Sequence, residues 1–232
     1  MTKCWNCQSP LDLALVCERC GMPQSIGTLS PFDVLGLPPR LHWAEGEIRA
    51  VYERLARRCH PDMFRAHRDD RVLSAAHTAM RALNDAYRTL RDPQRRLGYV
   101  LAATGFAQDS TRTVPAGLED SVQIIERVLT TVEEARRKGD RAAWEAEQDH
   151  LGALEVRVTK AWERSDATLR QLVSEWDAAV GAADGEWPDG LPDQWGPRVA
   201  TWAGERAYLD RVRVRMEEGR RQPEANPAPA VR

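Results

Sequence analysis

IRAVYERLARRCHPDMFRAHRDDRVLSAAHTAMRALNDAYRTL, residues 48–90, carries two apolar stripes separated by a single proline. Before the break, Ile48, Tyr52, Leu55 and Cys59 recur at i, i+4, i+7 and i+11, one face of a 3.6-residue period, while Arg49, Arg54, Arg57 and Arg58 fall off that face. Pro61 cannot continue a helix, because it lacks an N–H and disfavours helical backbone in the residue before it. The period resumes in Val72, Ala76, Ala79, Leu83, Tyr87 and Leu90, behind Asp69 and Asp70, acids suited to a helix N-terminus. Two helices joined by a loop bearing His60-Pro61-Asp62 are the expected centre of the fold.

The flanks extend the helical reading. Ser30 is an N-cap and Pro31 a first-turn residue for a short helix ending near Gly36, and the helix that holds Ile48 is expected from about Ala44 to Cys59. Arg91-Asp92-Pro93 ends the third helix, and a fourth, Gln94 to Ala103, is stopped by Gly105. A linker, 106–117, leads to three amphipathic segments built on Leu118 to Val132, Trp144 to Trp162, and Leu169 to Val180. Residues 181–197, rich in Gly and Pro, read as a loop in which Trp187 and Trp195 are candidate interaction anchors. Val199, Trp202, Leu209, Val212 and Met216 give one more helix, and the tail from Gly219 is too poor in apolar residues to order itself. No stretch shows strand alternation, so the second half is expected to be a helical bundle.

Four of the five cysteines lie in the first twenty residues, as Cys4-x-x-Cys7 and Cys17-x-x-Cys20. Two such pairs place four thiolates where a tetrahedral ion can gather them, and four sulfurs leave no open coordination position for catalysis. A structural Zn²⁺ is the expected occupant, with iron or a redox dithiol as the alternatives. A unit of twenty-odd residues with little more than Trp5, Leu11, Leu13, Leu15 and Val16 for a core needs the metal to fold. Cys59 stands apart, on a core-facing helical position, and reads as an inert buried thiol.

The net charge of −2 conceals a division: residues 29–103 hold 13 Lys/Arg against 9 Asp/Glu, and residues 119–218 hold 14 against 22. Two regions of opposite sign suit two different partners. No lysine-rich stripe points to nucleic acid, and no apolar run approaches the ~18 residues that cross a bilayer, so a cytoplasmic protein is expected. His42, His60, His67, His77 and His150 show no paired metal spacing, and no Gly-rich phosphate loop is present, so the chain is not expected to be an enzyme.

A His-Pro-Asp tripeptide arises by chance in a chain of this length at about 3%, and the weight lies in its frame. SPFDVLGL (30–37), IRAVYERLARRCHPDMF (48–64) and ALNDAYRTLRDPQRR (82–96), in that order, resemble the J domain of DnaJ-type co-chaperones. Together with CWNC…CERC, LNDAYRTLRDPQRRLGYVLAATG (83–105) and ERAYLDRVRVRMEE (205–218), they resemble the HscB iron–sulfur-cluster co-chaperones that carry an amino-terminal zinc unit. The bundle departs from that family at GLEDSVQIIERVL (117–129), where a segment rich in Phe, Leu, Met and Glu is usual.

The resemblance implies an all-α fold: a J-domain helical hairpin (29–105) after a Cys4 zinc knuckle (1–28), then an antiparallel three- or four-helix bundle (118–218) and a disordered tail (219–232). It also implies that His60, Pro61 and Asp62 trigger ATP hydrolysis in a DnaK- or HscA-type chaperone, with Arg54, Arg57 and Arg58 docking on an acidic surface. The bundle would hold an IscU-type scaffold protein, with Leu118, Val122, Ile125 and Leu129 as candidate contacts. Cys4, Cys7, Cys17 and Cys20 would hold one zinc ion. The rival readings are a general DnaJ-like co-chaperone with another client, and an adaptor in which the tripeptide is only a turn.

Overall fold

A computed structural model of the chain describes residues 3–11, 15–24, 27, 29–44, 46–67, 69–105, 113–189 and 192–223. Among these the chain is helical, and its only extended pairing is two isolated bridges, Lys3 with Pro10 and Val16 with Pro23, one in each cysteine knuckle. Most of the expected linker and most of the expected disordered tail lie outside the described residues.

The first, third and fourth helices start at side-chain caps, whereas the second starts behind Gly46 without one. In α1 (Pro31–Leu35), the Ser30 hydroxyl accepts from the Asp33 N–H (3.1 Å) and the Asp33 carboxylate accepts from the Ser30 N–H (3.3 Å), a reciprocal capping box. Gly36 closes this helix at φ 63°, a left-handed conformation that costs glycine little. Helix α2 (Glu47–Cys59) begins a turn later than Ala44 and ends at His60, ahead of a single 3₁₀ turn over Pro61–Phe64. Asp69 caps α3 (Asp70–Leu90) by accepting from Arg71 N–H at 2.9 Å. Asp92 caps α4 (Pro93–Ala103), and Pro93 occupies the first turn, where a missing N–H costs nothing.

Helices α2 and α3 run antiparallel. Tyr52 stacks on Tyr87 with ring centroids 4.2 Å apart and donates its hydroxyl to Asn84 Oδ1 (2.9 Å), while seven residues along α2 Cys59 meets Met80. Ile48, Leu55 and Cys59 of α2 and Ala76, Ala79 and Leu83 of α3 are all buried, as the two stripes require.

The described residues fall into two compact units, one within Met1–Phe106 together with Val173–Trp195, the other within Ala107–Leu172 together with Gly196–Arg232. The first unit therefore contains more than the segment 29–105. The cysteine knuckles pack into it, and so does the stretch around the expected Trp-rich loop. Trp176 is fully buried and donates its indole N–H to the Pro39 carbonyl (2.7 Å), and Asp177 accepts from the backbone N–H groups of Leu41 (2.6 Å) and His42 (2.8 Å). Trp187 lies edge-on to Phe32 and to Trp176, and Trp195 tilts against Trp176 at 4.7 Å. Trp195 is only 1% exposed, so it serves the core and not an outside partner.

The second unit is a bundle of α5 (Val122–Lys138), the short α6 (Arg141–Ala146), and parts of α7 (Gln148–Ala182) and α8 (Pro192–Gly219). Two segments expected as separate helices, around Trp144 to Trp162 and Leu169 to Val180, are largely one: α7 runs unbroken for 35 residues, with no Pro or internal cap to stop it. The expected loop 181–197 is shorter than its composition suggests, because α8 begins at Pro192 and tolerates Pro197 within its second turn. Gly139, at φ 70°, ends α5 and lets Asp140 cap the next helix. The bundle core joins Ile125, Leu129 and Val132 of α5 to Leu151 and Val158 of α7 and Leu209 and Val212 of α8.

Candidate functional site

His60-Pro61-Asp62 sits at the tip of the α2–α3 hairpin, and its two polar side chains face solvent, at 50% exposure for His60 and 57% for Asp62. The Asp62 backbone N–H donates to His60 Nδ1 at 3.2 Å, so the ring acts as the N-cap of the 3₁₀ turn. An Nδ1 that accepts places the imidazole proton on Nε2, which points the donor outward. The Asp62 carboxylate pairs with Arg65 at 2.7 Å, with both groups exposed. Pro61 fixes the entry to the turn, and Phe64, the last residue of the turn, is buried where the rest of 60–67 is wholly or partly exposed.

The arginines on α2 divide into two sets. Arg54 and Arg57 are exposed on the face that leads to the tripeptide. Arg58 is engaged inside the protein: its guanidinium donates to Glu18 of the second cysteine knuckle at 2.8 Å. That bond holds the Glu18 carboxyl below its ordinary range and raises Arg58. Arg49 pairs with Glu53 along its own helix.

Cys4, Cys7, Cys17 and Cys20 converge as their spacing requires, with all four sulfurs within 4.8 Å of one another. Cys4 Sγ lies 3.6 Å from Cys20 Sγ, and Cys7 Sγ 3.7 Å from Cys17 Sγ, one sulfur from each knuckle in each pair. The knuckles share one design. Cys4 and Cys17 each accept, on their carbonyls, the N–H of the residue just past the second cysteine of the pair, Gln8 (3.0 Å) and Gly21 (2.9 Å). Both residues have positive φ, 61° and 71°. Gly21 is legible in the sequence for this reason; Gln8, a residue type that rarely takes this conformation, is not.

Ser9 lies 3.0 Å from Cys7 Sγ and 3.3 Å from Cys17 Sγ, and its hydroxyl holds both thiols below the usual range, Cys17 down to about 6. Burial pushes Cys20 up to about 11. The cluster can hold one metal ion. Cys59 is not one of the four; it is fully buried, and burial raises its thiol to about 11.

The candidate client contacts on the bundle fare differently. Leu118 is fully buried and Ile125 and Leu129 are 1% exposed, all three inside the bundle core, so they are not available to a partner. Only Val122 of the four is partly accessible. Apolar residues at helical spacing fill the core first, and periodicity alone does not separate core from contact. Among the described residues, the exposed large apolar side chains of the bundle are Ile124, Val156 and Val214.

This arrangement has counterparts among known proteins. Residues 30–99 match the DnaJ domain family, a range that takes in α1, the hairpin with its loop and the first seven residues of α4. A co-chaperone protein HscB homolog of Burkholderia multivorans is 30% identical over 160 residues, covering 68% of this chain and 83% of that protein. The chain belongs to the HscB co-chaperone family. An HscB homolog of Vibrio vulnificus is 27% identical over 164 residues, covering 69% of this chain and 84% of the relative. The crystal structure of human co-chaperone protein HscB shares the fold, with a TM-score of 0.51 at 16% identity, over 94% of this chain and 98% of the human one. As an HscB-family J-domain co-chaperone, the chain keeps its tripeptide at the exposed tip of the hairpin. No described helix is long and apolar enough to cross a membrane.

Proposed function

We propose that this protein stimulates the ATPase of a DnaK- or HscA-type chaperone and delivers to it an IscU-type scaffold for iron–sulfur cluster assembly or transfer. The observation that carries the reading is the exposed His60-Pro61-Asp62 turn at the end of a helix bearing Arg54 and Arg57. The Asp62–Arg65 pair is exposed on both sides, and such pairs contribute only about 0.2–1 kcal/mol, so a partner arginine can displace Arg65 at little cost. His60 presents its Nε2 proton as a donor, and Arg54 and Arg57 steer the encounter with an acidic surface. Arg58 is assigned a smaller part in docking, because Glu18 already holds it.

The metal is assigned as zinc. A tetrahedron with Zn–S bonds of about 2.3 Å has sulfur–sulfur edges of about 3.8 Å; two of the six sulfur pairs lie at 3.6 and 3.7 Å, and all four sulfurs lie within 4.8 Å of one another. With four thiolate ligands the ion closes the knuckles and supplies no reactive position.

His60→Gln tests the trigger. In single-turnover ATP hydrolysis by the chaperone, the variant should give no stimulation above the chaperone alone while its helical content and unfolding midpoint match the parent; retained stimulation refutes the assignment. The client is tested by calorimetric titration of the full-length chain with an IscU-type scaffold. The J unit includes residues 173–195, so a chain cut at Gly105 would expose the core around Phe32. Single Asp substitutions at Ile124, Val156 and Val214 are the better controls. Micromolar or tighter binding, about −8 kcal/mol, that one of them weakens supports the reading, and no binding to a folded scaffold moves the chain to a general co-chaperone with another client.

A further inference from the structure

The cysteine unit grips both ends of the tripeptide loop. Arg58, two residues before His60, is held by Glu18, which lies between Cys17 and Cys20. Phe64, two residues after Asp62, packs with Val72 and Ala76 of α3 in a small cluster against which Trp5 and Met22 are seated. Trp5 lies between Cys4 and Cys7. Each knuckle thus supplies one grip on the loop.

The Trp5 ring is in turn fixed by the cysteine unit itself. Its indole N–H donates to the Pro23 carbonyl at 2.7 Å, and its backbone N–H donates to Gln24 Oε1 at 3.3 Å. Gln24 is 3% exposed and its amide nitrogen donates to the Met22 carbonyl (2.8 Å) and to Cys4 Sγ (3.4 Å). A chain of contacts therefore runs from the Cys4 sulfur through Gln24 and Trp5 to the cluster that Phe64 forms with Val72 and Ala76. The loop has little of its own to hold it: among residues 60–67 only Phe64 is buried, and the Asp62–Arg65 pair is exposed. Where the loop sits is decided by what Phe64 rests on.

We propose that Trp5 and Glu18 are positioning residues for the His60-Pro61-Asp62 loop, so that metal occupancy of the four cysteines sets how well the loop triggers the chaperone. The inference rests on the ATPase-stimulating role proposed above. Twenty-odd residues do not keep a fold without their ion, so losing the metal releases Trp5 and Glu18 together. Trp5 is the stronger grip. The Glu18–Arg58 pair is 49% and 37% exposed and so contributes little, whereas the indole packs against the apolar cluster of Phe64, Val72 and Ala76.

The test uses the full-length, zinc-loaded protein, the same protein after chelation, and Trp5→Ala, Trp5→Phe and Glu18→Gln, each checked for one equivalent of bound metal. Amide exchange is read over residues 60–67, where Met63 N–H donates to the His60 carbonyl and His67 N–H to the Phe64 carbonyl, both at 3.0 Å. The expected result is exchange in this segment about tenfold faster on chelation and in Trp5→Ala, a change of about 1.4 kcal/mol in local opening. Exchange across Asn84–Leu90 should stay unchanged. Maximal ATPase stimulation should fall at least threefold, with the half-saturating concentration within twofold of the parent, and Trp5→Phe should recover part of the loss. A purely structural role would instead speed exchange in all of α3. Unchanged loop exchange, or full stimulation by metal-loaded Trp5→Ala, overturns the inference. Should Trp5→Ala not hold its metal, the double variant Trp5→Phe/Glu18→Gln is judged by the same two readings. A parent protein that stimulates no DnaK- or HscA-type chaperone defeats the proposed function instead, a result distinct from either.

Discussion

Asp177→Asn isolates one of the contacts that bind the end of α7 to the segment between α1 and α2. The two carboxylate oxygens of Asp177 divide the work, one accepting from Leu41 N–H at 2.6 Å and the other from His42 N–H at 2.8 Å. Asparagine keeps the size but offers a single oxygen, so its NH₂ group faces one of the two donors and that bond is lost. The remaining bond loses its charge assistance. Hydrogen bonds to a charged group contribute about 1.5–3 kcal/mol, and Asp177 is half-buried, which favours the lower part of that range. The expected outcome is amide exchange of Leu41 and His42 accelerated roughly ten- to a hundredfold, measured by hydrogen–deuterium exchange resolved to single residues. Leu209 and Val212 lie in the bundle core of the other unit, and their amides serve as the control. The neighbouring Trp176–Pro39 bond remains in the variant, so the segment should loosen and not detach. Exchange at Leu41 and His42 within twofold of the parent would refute the view that this carboxylate holds the segment.

Arg54→Ala and Arg57→Ala should each raise the concentration of co-chaperone needed for half-maximal ATPase stimulation several-fold in dilute salt, with the difference shrinking at 0.5 M salt; a salt-independent effect would mean that the arginines act by packing. Leu129→Ala should cost about 2–5 kcal/mol in urea unfolding, since Leu129 is 1% exposed, whereas Ile124→Ala, at 44% exposed, should lie within about 0.5 kcal/mol of the parent. Cys59 gives a pH test. Its folded thiol is pushed from 9.0 to about 11 by burial, so its contribution is complete below about 9 and is lost as pH rises toward 11. The unfolding midpoint should fall over that window, and Cys59→Ala should flatten the fall; an identical alkaline profile in the variant rejects the assignment.

The hairpin was legible because its signals are local. A period of 3.6, a proline, and an acid before each restart mark α2, α3 and α4 within a residue or a turn, and two Cys-x-x-Cys pairs converge whatever surrounds them. What was not legible is long-range. Nothing near Trp176, Asp177 or Trp195 says that they belong with residues more than a hundred positions earlier, and a Gly- and Pro-rich stretch looks like a loop whether or not its tryptophans find a core. Leu118, Ile125 and Leu129 show the same limit from the other side: the spacing that puts them on one face of a helix does not tell which neighbour covers it. Arg58 resembles Arg54 and Arg57 in the sequence, and only the position of Glu18 separates it from them.

The exposed parts of the tripeptide loop explain why its behaviour should depend on residues outside it. His60 and Asp62 must stay accessible to act on a partner, so neither can anchor itself by burial, and an exposed pair such as Asp62–Arg65 contributes too little to fix a turn. The main stabilising contact is therefore displaced to the Phe64 cluster, against which Trp5 and Met22 of the cysteine unit pack, and the exposed Arg58–Glu18 pair adds only a minor part. Substitutions within the motif should abolish the trigger, because they remove the groups that touch the chaperone. Substitutions at Phe64 or in the knuckles should instead grade it, because they leave those groups in place and alter only how often the loop presents them together. The second class is the one through which the metal site can influence the first, and it has no counterpart in a J domain without knuckles packed against its loop.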